Sequence, residues 1–451
     1  MRIHLIAMGG AVMHNLALAL QKNGHFVTGS DDEIYNPAKE RLKKAGLLPE
    51  KFGWFPENIT KKLDLVILGM HAKADNPELK KAQELGLQLC SFPEFVYQHA
   101  QEKTRVVVTG SHGKTTTTAM IMHVLRHAGI AFDYLVGAQL EGFDTMVQLS
   151  DAPIMVIEGD EYLSSALDPR PKFLHYRPHL AVITGVAWDH INVFPTYDSY
   201  LHQFELLLEN MEPEGTVFFY EPDGDLTRIV KSSESNIYAT PYQVFPHKVV
   251  LKKAKVELLK LGNFQLQVFG NHNFANIAAA RQVCLALKVP EIVFWQAISS
   301  FTGAAKRLQA LVSSRKVRAW LDFAHAPSKV KATVEAVRSL DKKNRLVACL
   351  ELHTFSSLNK AFLPQYHQTL APADVAAVFY SPHTLEMKKM PPIAPADIRA
   401  AFGREDLQVF TERADLEAFI KNQTAGKTNL LLMSSGNFGG MDIPGFVAGL
   451  S

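Results

Sequence analysis

Cysteine is scarce in this chain of 451 residues, and the three present, Cys90, Cys284 and Cys349, stand in separate apolar surroundings with no pair spacing. That pattern argues against a disulfide framework and a cysteine-ligated zinc site, and it makes a reducing cytoplasm the expected compartment. Long hydrophobic runs are also missing: none approaches the roughly eighteen apolar residues of a membrane span. The stretch Met1 to Leu20 is largely apolar, but His4, Gly9, Gly10, His14 and Asn15 interrupt any signal-peptide core. A surplus of one charge sign is the third absence. A formal net charge of +2 offers nucleic acid no basic field, so an anionic partner has to be small and held locally. No low-complexity segment or internal repeat is present, and nothing in the chain indicates an oligomeric state.

What is present is an ordinary globular composition, 47% apolar and 20% charged, in a chain about three domains long. Its segments alternate as α/β units. Ile3 to Ala7 reads as a buried strand, Gly9-Gly10 as a turn and Ala11 to Lys22 as a helix, the opening of a mononucleotide-binding unit. A second strand, Phe26 to Thr28, leads into Gly29-Ser30-Asp31; such units hold a ribose hydroxyl on an acid about 20 positions after the glycine turn. A close-packed βα turn is the competing reading. Leu63 to Leu68 and a helix after Pro77 continue the alternation, and the polar segment His99 to Thr104 reads as a linker.

The next stretch, Thr109-Gly110-Ser111-His112-Gly113-Lys114-Thr115-Thr116, lies between the apolar run Arg105 to Val108 and a helix from Lys114 to His127. Backbone N–H groups, a cation and a hydroxyl at a helix N-terminus make a phosphate cradle. Only Ser111 and His112 separate the two glycines, fewer than in the general P-loop, so a tighter loop is expected; a βα turn with a surface lysine is the alternative. Strand Ile154 to Ile157 runs into Glu158-Gly159-Asp160-Glu161-Tyr162, which places carboxylates at a strand end for magnesium or else forms a solvated acidic loop. Leu180 to Thr184 leads to Asp189-His190. A helix at Ser199 to Met211, a strand at Val217 to Tyr220 and a hairpin-like stretch from Val249 to Phe269 follow. Asn273 and Asn276 then sit three apart at a helix start, so both amides face one side. Further strands are expected at Val317 to Asp322, Leu346 to Leu350, Val375 to Phe379, Leu407 to Phe410 and Asn429 to Met433, with Asp322-Phe323-Ala324-His325 and Ser434 to Gly440 at strand ends where open α/β sheets bind ligands.

In this order the short glycine-Lys-Thr loop, the acidic strand end, Asp-His, His-Asn-x-x-Asn and Asp-x-Ala-His resemble the Mur ligase family over essentially the whole chain. The resemblance implies three α/β domains: a Rossmann-like UDP-binding domain at 1–102, a P-loop-type ATPase domain at 103–303 and a Rossmann-like peptide-binding domain at 304–451. It implies an ATP- and magnesium-dependent ligase. Gly29-Ser30-Asp31 with Tyr35 and Pro37, the run from Asp160 through Pro178, and Gly436 to Gly440 match one branch of the family. That branch joins the lactyl carboxylate of UDP-N-acetylmuramate to the tripeptide L-alanyl-γ-D-glutamyl-meso-diaminopimelate through an acyl phosphate, in peptidoglycan recycling. Members that add L-alanine alone, or glutamates to a folate, share the ATP residues. A nucleotide-binding module without ligase activity is the rival from another class.

By the same resemblance Gly110, Ser111, His112, Gly113, Lys114, Thr115 and Thr116 cradle the phosphates, with Lys114 on the β- and γ-phosphates. Thr115 and Glu158 hold magnesium and His190 a second ion; Asn273 and Asn276 take the adenine end; Arg307, Asp322 and His325 reach the nucleotide from the third domain, across a cleft whose closure assembles the site. Lys114, Glu158, His190 and Arg307 then carry catalysis. Gly9, Gly10 and Asp31 are assigned to the uridine nucleotide, and His353 and Asn437 to the peptide. Departures from the family pattern are Gly185, Ala187 and Asn192 around Asp-His, Phe323 for a tyrosine, Ala326 for a second histidine and His353 for an arginine, and no lysine matches the carbamylated metal ligand of some members.

Overall fold

Short apolar runs punctuated by glycine turns build four β-sheets among the described residues. The computed structural model describes residues 1–250, 253–258, 262–304, 307–314, 316–340, 342–424 and 426–450. They form two compact units: Met1–Val186 with Asp198–Gln243 and Ile277–Ala297, and Ala187–Tyr197 with Val244–Asn276 and Ile298–Ser451.

The first unit begins with strands β1 (Arg2–Ile6), β2 (Phe26–Ser30), β3 (Leu65–Leu68) and β4 (Leu89–Ser91), all parallel in the order β2-β1-β3-β4. Crossover helices are α1 (Ala11–Lys22), α2 (Ala38–Lys44) and α3 (Pro77–Glu84), and α4 (Phe92–His99) follows β4. Parallel strands covered on both faces need continuous apolar runs, and Ile3, Leu5, Val66 and Ile67 are fully buried. The expected linker at His99 to Thr104 is shorter than read: His99 ends α4 and Thr104 begins the next strand. α4 escaped sequence reading because its eight residues are too few for a helical period, although its capping box, Ser91 with Glu94, was there to be seen.

The second sheet of this unit uses β5 (Thr104–Thr109), β6 (Asp133–Leu135), β7 (Val147–Gln148), β8 (Ile154–Glu158), β9 (Leu180–Ile183), β10 (Thr216–Tyr220) and β11 (Tyr238–Tyr242). Its order is β11-β10-β9-β5-β8-β6-β7, with only β7 antiparallel to its neighbour. Helices α5 (Lys114–His127), α6 (Tyr197–Glu209) and α7 (Gly224–Ser232) connect these strands. Because β8 and β9 lie on opposite sides of β5, the loop after β5 opens at a topological switch point, where such sheets bind ligands. The two sheets are tied through α1: Asn15 Oδ1 accepts from Met146 N at 3.1 Å and Asn23 Nδ2 donates to Leu149 O at 3.0 Å.

The second unit holds β12 (Lys248–Val250), β13 (Lys253–Leu258) and β14 (Gly262–Gln265), an antiparallel sheet where a hairpin was expected, parts of that stretch lying outside the described residues. Helices α8 (Asn271–Ala286) and α9 (Glu291–Ser299), which belong to the first unit from Ile277 to Ala297, precede β15 (Gln309–Ser313), β16 (Val317–Asp322), α10 (Pro327–Leu340), β17 (Arg345–Glu351), β18 (Val375–Phe379), β19 (Gln408–Phe410) and β20 (Thr428–Met433) of the second. The sheet order is β15-β16-β20-β17-β18-β19, parallel except for β15. Alternation along β16 divides the core, Trp320 joining a cluster on one face with Val330 and Leu350, while Ala319 and Leu321 join Val347 and Leu432 on the other. No helix among the described residues is long and apolar enough to cross a membrane.

Candidate active site

The loop leaving β5 has a shape that only glycine allows. Gly110 has φ +109°, and a Cβ there would stand 2.6 Å from Thr184 Oγ1 and 2.7 Å from Gly185 O. The backbone therefore lies directly against the end of β9. Ser111 fastens it, donating from N at 2.9 Å and from Oγ at 3.1 Å to Gly185 O, while Thr184 Oγ1 donates to Thr109 O and to His112 O. Gly113, at φ +74°, caps α5, and Lys114, Thr115 and Thr116 form its first turn.

Lys114 Nζ donates to Gly110 O at 2.7 Å and to both oxygens of Glu161, at 2.9 and 2.7 Å. Burial opposes the ammonium charge, but Glu161, with Asp160 and Glu158 behind it, more than offsets this and holds the lysine pKa above its ordinary value. Glu161 is fully buried and also accepts from Tyr200 OH at 3.3 Å. Thr115 Oγ1 donates to Glu158 Oε1 at 2.8 Å, and Gly137 N to Glu158 Oε2 at 2.7 Å. Asp160 pairs with Lys172 at 2.6 Å. The acids read from sequence as one cluster are thus divided: Glu161 serves the lysine, Asp160 has its own cation, and Glu158 stands with the threonine hydroxyl. A carboxylate beside a hydroxyl is a hard-oxygen pair suited to magnesium. Gly137, Thr184 and Tyr200 went unnoticed in the sequence, since a glycine, threonine or tyrosine far along the chain carries no local sign of its role.

In the first sheet, Gly9 N donates to Asp31 Oδ2 at 2.7 Å, and a Cβ on Gly9 would meet that oxygen at 2.9 Å. Gly10 is the N-cap of α1. Ala7, where a dinucleotide fingerprint has glycine, adopts φ +64° without one. Burial pushes the Asp31 pKa up to about 6, with the neighbouring Asp32 adding to the rise and the Gly9 N–H opposing it. Behind this turn, a buried network that sequence reading missed joins Ser30 and His4 to Glu78 of α3.

The remaining expected site residues belong to the second unit. His190, at φ +56°, follows Asp189, whose Oδ1 accepts from His190 N at 2.8 Å and whose Oδ2 lies 3.5 Å from Lys329 Nζ. Burial alone would raise the Asp189 pKa, but Lys329, His190 and His325 hold it well below the usual carboxylate range. His325 Nδ1 lies 2.9 Å from Phe323 O, and burial with Lys329 pushes its pKa down to about 4. Asp322 is committed to the backbone, accepting from Leu308 N at 2.6 Å and Ala324 N at 2.7 Å, so it anchors the residue after Arg307. The Arg307 guanidinium lies 4.6 Å over the Phe323 ring, a cation–aromatic pairing. Asn273 and Asn276 are both buried in the first turns of α8, and Asn273 Nδ2 donates to Phe269 O at 2.8 Å.

His353 and the loop after β20 meet around Glu351. This buried carboxylate accepts from Ser434 Oγ and, at 2.8 Å, from Phe438 N, and His353 Nδ1 lies 3.8 Å from its other oxygen. A Cβ on Gly436 would stand 2.9 Å from Glu351 and 3.0 Å from His353. Asn437 Oδ1 accepts from Gly440 N at 2.9 Å, closing the turn.

Residues 2–104 match the Mur ligase family catalytic domain and residues 108–284 the Mur ligase middle domain. The chain is 27% identical over 454 residues to the UDP-N-acetylmuramate–L-alanyl-γ-D-glutamyl-meso-2,6-diaminoheptandioate ligase of Escherichia coli strain K12, covering 98% of this chain and 96% of that one. It is 29% identical over 389 residues to the UDP-N-acetylmuramate–L-alanine ligase of Syntrophomonas wolfei, covering 83% and 81%. The solved murein peptide ligase of Psychrobacter arcticus shares the fold, with a TM-score of 0.69 at 23% identity over 100% of this chain and 98% of that one.

Proposed function

Since the chain belongs to the Mur ligase family of ATP-dependent amide-bond-forming enzymes, we propose that it joins the lactyl carboxylate of UDP-N-acetylmuramate to the amino group of L-alanyl-γ-D-glutamyl-meso-diaminopimelate. In this reading residues 1–102 take the uridine nucleotide, 103–303 ATP and 304–451 the peptide. The observation that carries it is Lys114, charged and aimed by Glu161 and Gly110 O within a glycine loop, beside the Thr115–Glu158 pair. That donor set fits a nucleotide polyphosphate with magnesium. When bound, ATP would supply the phosphoryl group that activates the carboxylate as an acyl phosphate. Phosphoryl transfer asks the protein chiefly for position and charge. Lys114 would offset negative charge on the transferring group and Thr115 and Glu158 would hold the metal, while Glu161 keeps the lysine charged and directed. The tripeptide as acceptor is supported by the alignment with the Escherichia coli ligase along nearly the whole chain. The higher identity to an L-alanine ligase favours a second reading, L-alanine as acceptor.

One assay tests both readings. The chain is incubated with ATP, UDP-N-acetylmuramate and either L-alanine or the tripeptide, and products are identified by mass spectrometry while ADP release is followed. The tripeptide adduct is expected; an alanine adduct alone selects the second reading. Lys114→Ala is expected to abolish acceptor-dependent ADP release, and turnover near the parent rate would falsify the phosphate-cradle assignment.

A further inference from the structure

A second group of metal-competent side chains lies in the first unit, where α4 meets the loop after β8. Glu94, Asp168 and His175 each bring a ligand atom to within 4.8 Å of the others. His175 ends a 3-10 turn, Lys172–His175, and its side chain is 4% exposed. Its Nε2 is buried without a hydrogen-bond partner among the described residues, and it lies 3.3 Å from Asp168 Oδ2.

Both carboxylates are presented by the fold. Asp168 rides on a tight turn in which Ser165 Oγ accepts from Leu167 N at 3.3 Å and Asp168 N at 3.2 Å, and Leu163 bridges Pro171. Arg170 grips it on one side, Nε donating to Oδ1 at 2.9 Å and Nη2 to Oδ2 at 2.6 Å. Glu94 Oε2 accepts from Ser91 N at 2.6 Å as the reciprocal half of the α4 capping box, which orients the carboxyl group.

We propose that Glu94, Asp168 and His175 form a binding site for a divalent transition metal of the zinc class, separate from the Thr115–Glu158 pair. A ligand spacing of 3.3 Å is that of two donors each ~2.0–2.1 Å from one tetrahedral ion, and three protein ligands leave a position for water. One imidazole with two carboxylates suits zinc better than magnesium, which prefers oxygen alone. Arg170 and the Ser91 N–H are the outer hydrogen-bonding partners that ligating carboxylates ordinarily have. The ion cross-links α4 to the loop that begins at the Asp160–Glu161 pair, so its role is structural.

The test uses the untagged, nucleotide-free chain, stripped by a chelator and titrated with zinc chloride in excess magnesium, which occupies the oxygen site. One zinc per chain is expected, with an unfolding temperature that climbs with zinc concentration. Loss of an outer partner costs ~10–100-fold in metal affinity, so loss of a ligand, in Glu94→Gln or His175→Ala, is expected to cost at least ~100-fold. Glutamine keeps the capping acceptor, so Glu94→Gln decides the matter if His175→Ala fails to fold. No zinc uptake, or unchanged affinity in Glu94→Gln, overturns the proposal.

Discussion

Asp31 is pulled in opposite directions: burial disfavours its charge while the Gly9 N–H favours it, and the pKa rises to about 6. The sign for stability follows from linkage. An acid whose pKa is higher folded than unfolded costs stability when ionised, so the cost is fully present above about pH 6 and fades as pH falls toward ~4. Asp31→Asn keeps an acceptor for Gly9 N and removes the charge. It is therefore expected to be more stable than the parent by about 1–2 kcal/mol near pH 7.5 and equal to it near pH 4, as measured by urea unfolding at both. A difference independent of pH would contradict the assignment. Lys114 shows the opposite balance, for its neighbours outweigh burial and keep the cation charged. The residue types of both were readable in the sequence as candidates. Their balance of burial and neighbours was not, because it depends on contacts 22 and 47 residues away along the chain.

At the scale of elements, the β5 loop and the turn after α1 separate two uses of glycine. Gly24 has φ +79° with open space where a Cβ would be, whereas Gly110 has φ +109° and would drive a Cβ into the backbone of Thr184 and Gly185. Gly24→Ala should cost only the left-handed penalty of ~1–2 kcal/mol. Gly110→Ala should cost clearly more and weaken nucleotide binding as well, because relieving the clash moves the loop off β9. Urea midpoints of the two variants, with ATP titrations, make the comparison; equal losses would show that the loop does not lean on β9. The long helices α1 and α5 were legible in the sequence to the residue, and the apolar runs of β16 and β18 likewise. The eight-residue α4 and the three-residue β4 and β6 were not, since α4 spans barely two turns and β4 and β6 lack a continuous apolar run to stand out from a loop.

At the scale of the molecule, the scarce cysteines become reporters. All three are buried, and burial pushes the thiols of Cys90 and Cys349 up to about 12 and that of Cys284 higher still, so the folded chain should resist thiol reagents. Cys90 and Cys284 belong to the first compact unit and Cys349 to the second. In pulse labelling across a urea series, Cys90 and Cys284 are expected to become reactive together and Cys349 at a different concentration. Simultaneous exposure of all three would mean that the units unfold as one.

The order of α/β segments, the glycine loop with its lysine and threonine, and the acidic strand end were determined by sequence alone, because a strand, its turn and the following helix are set by neighbours within about ten residues. The assignment of partners was decided only by the tertiary structure. Nothing local distinguishes Glu161 from Asp160, yet sheet order brings β8 beside β5 and gives one to Lys114 and the other to Lys172. The same holds for Glu351, which gathers Ser434 and Phe438, and for His175, which faces Asp168 and Glu94. Such pairs are fixed by which strands lie side by side and which loops share an end of the sheet, and a linear pattern carries no record of that.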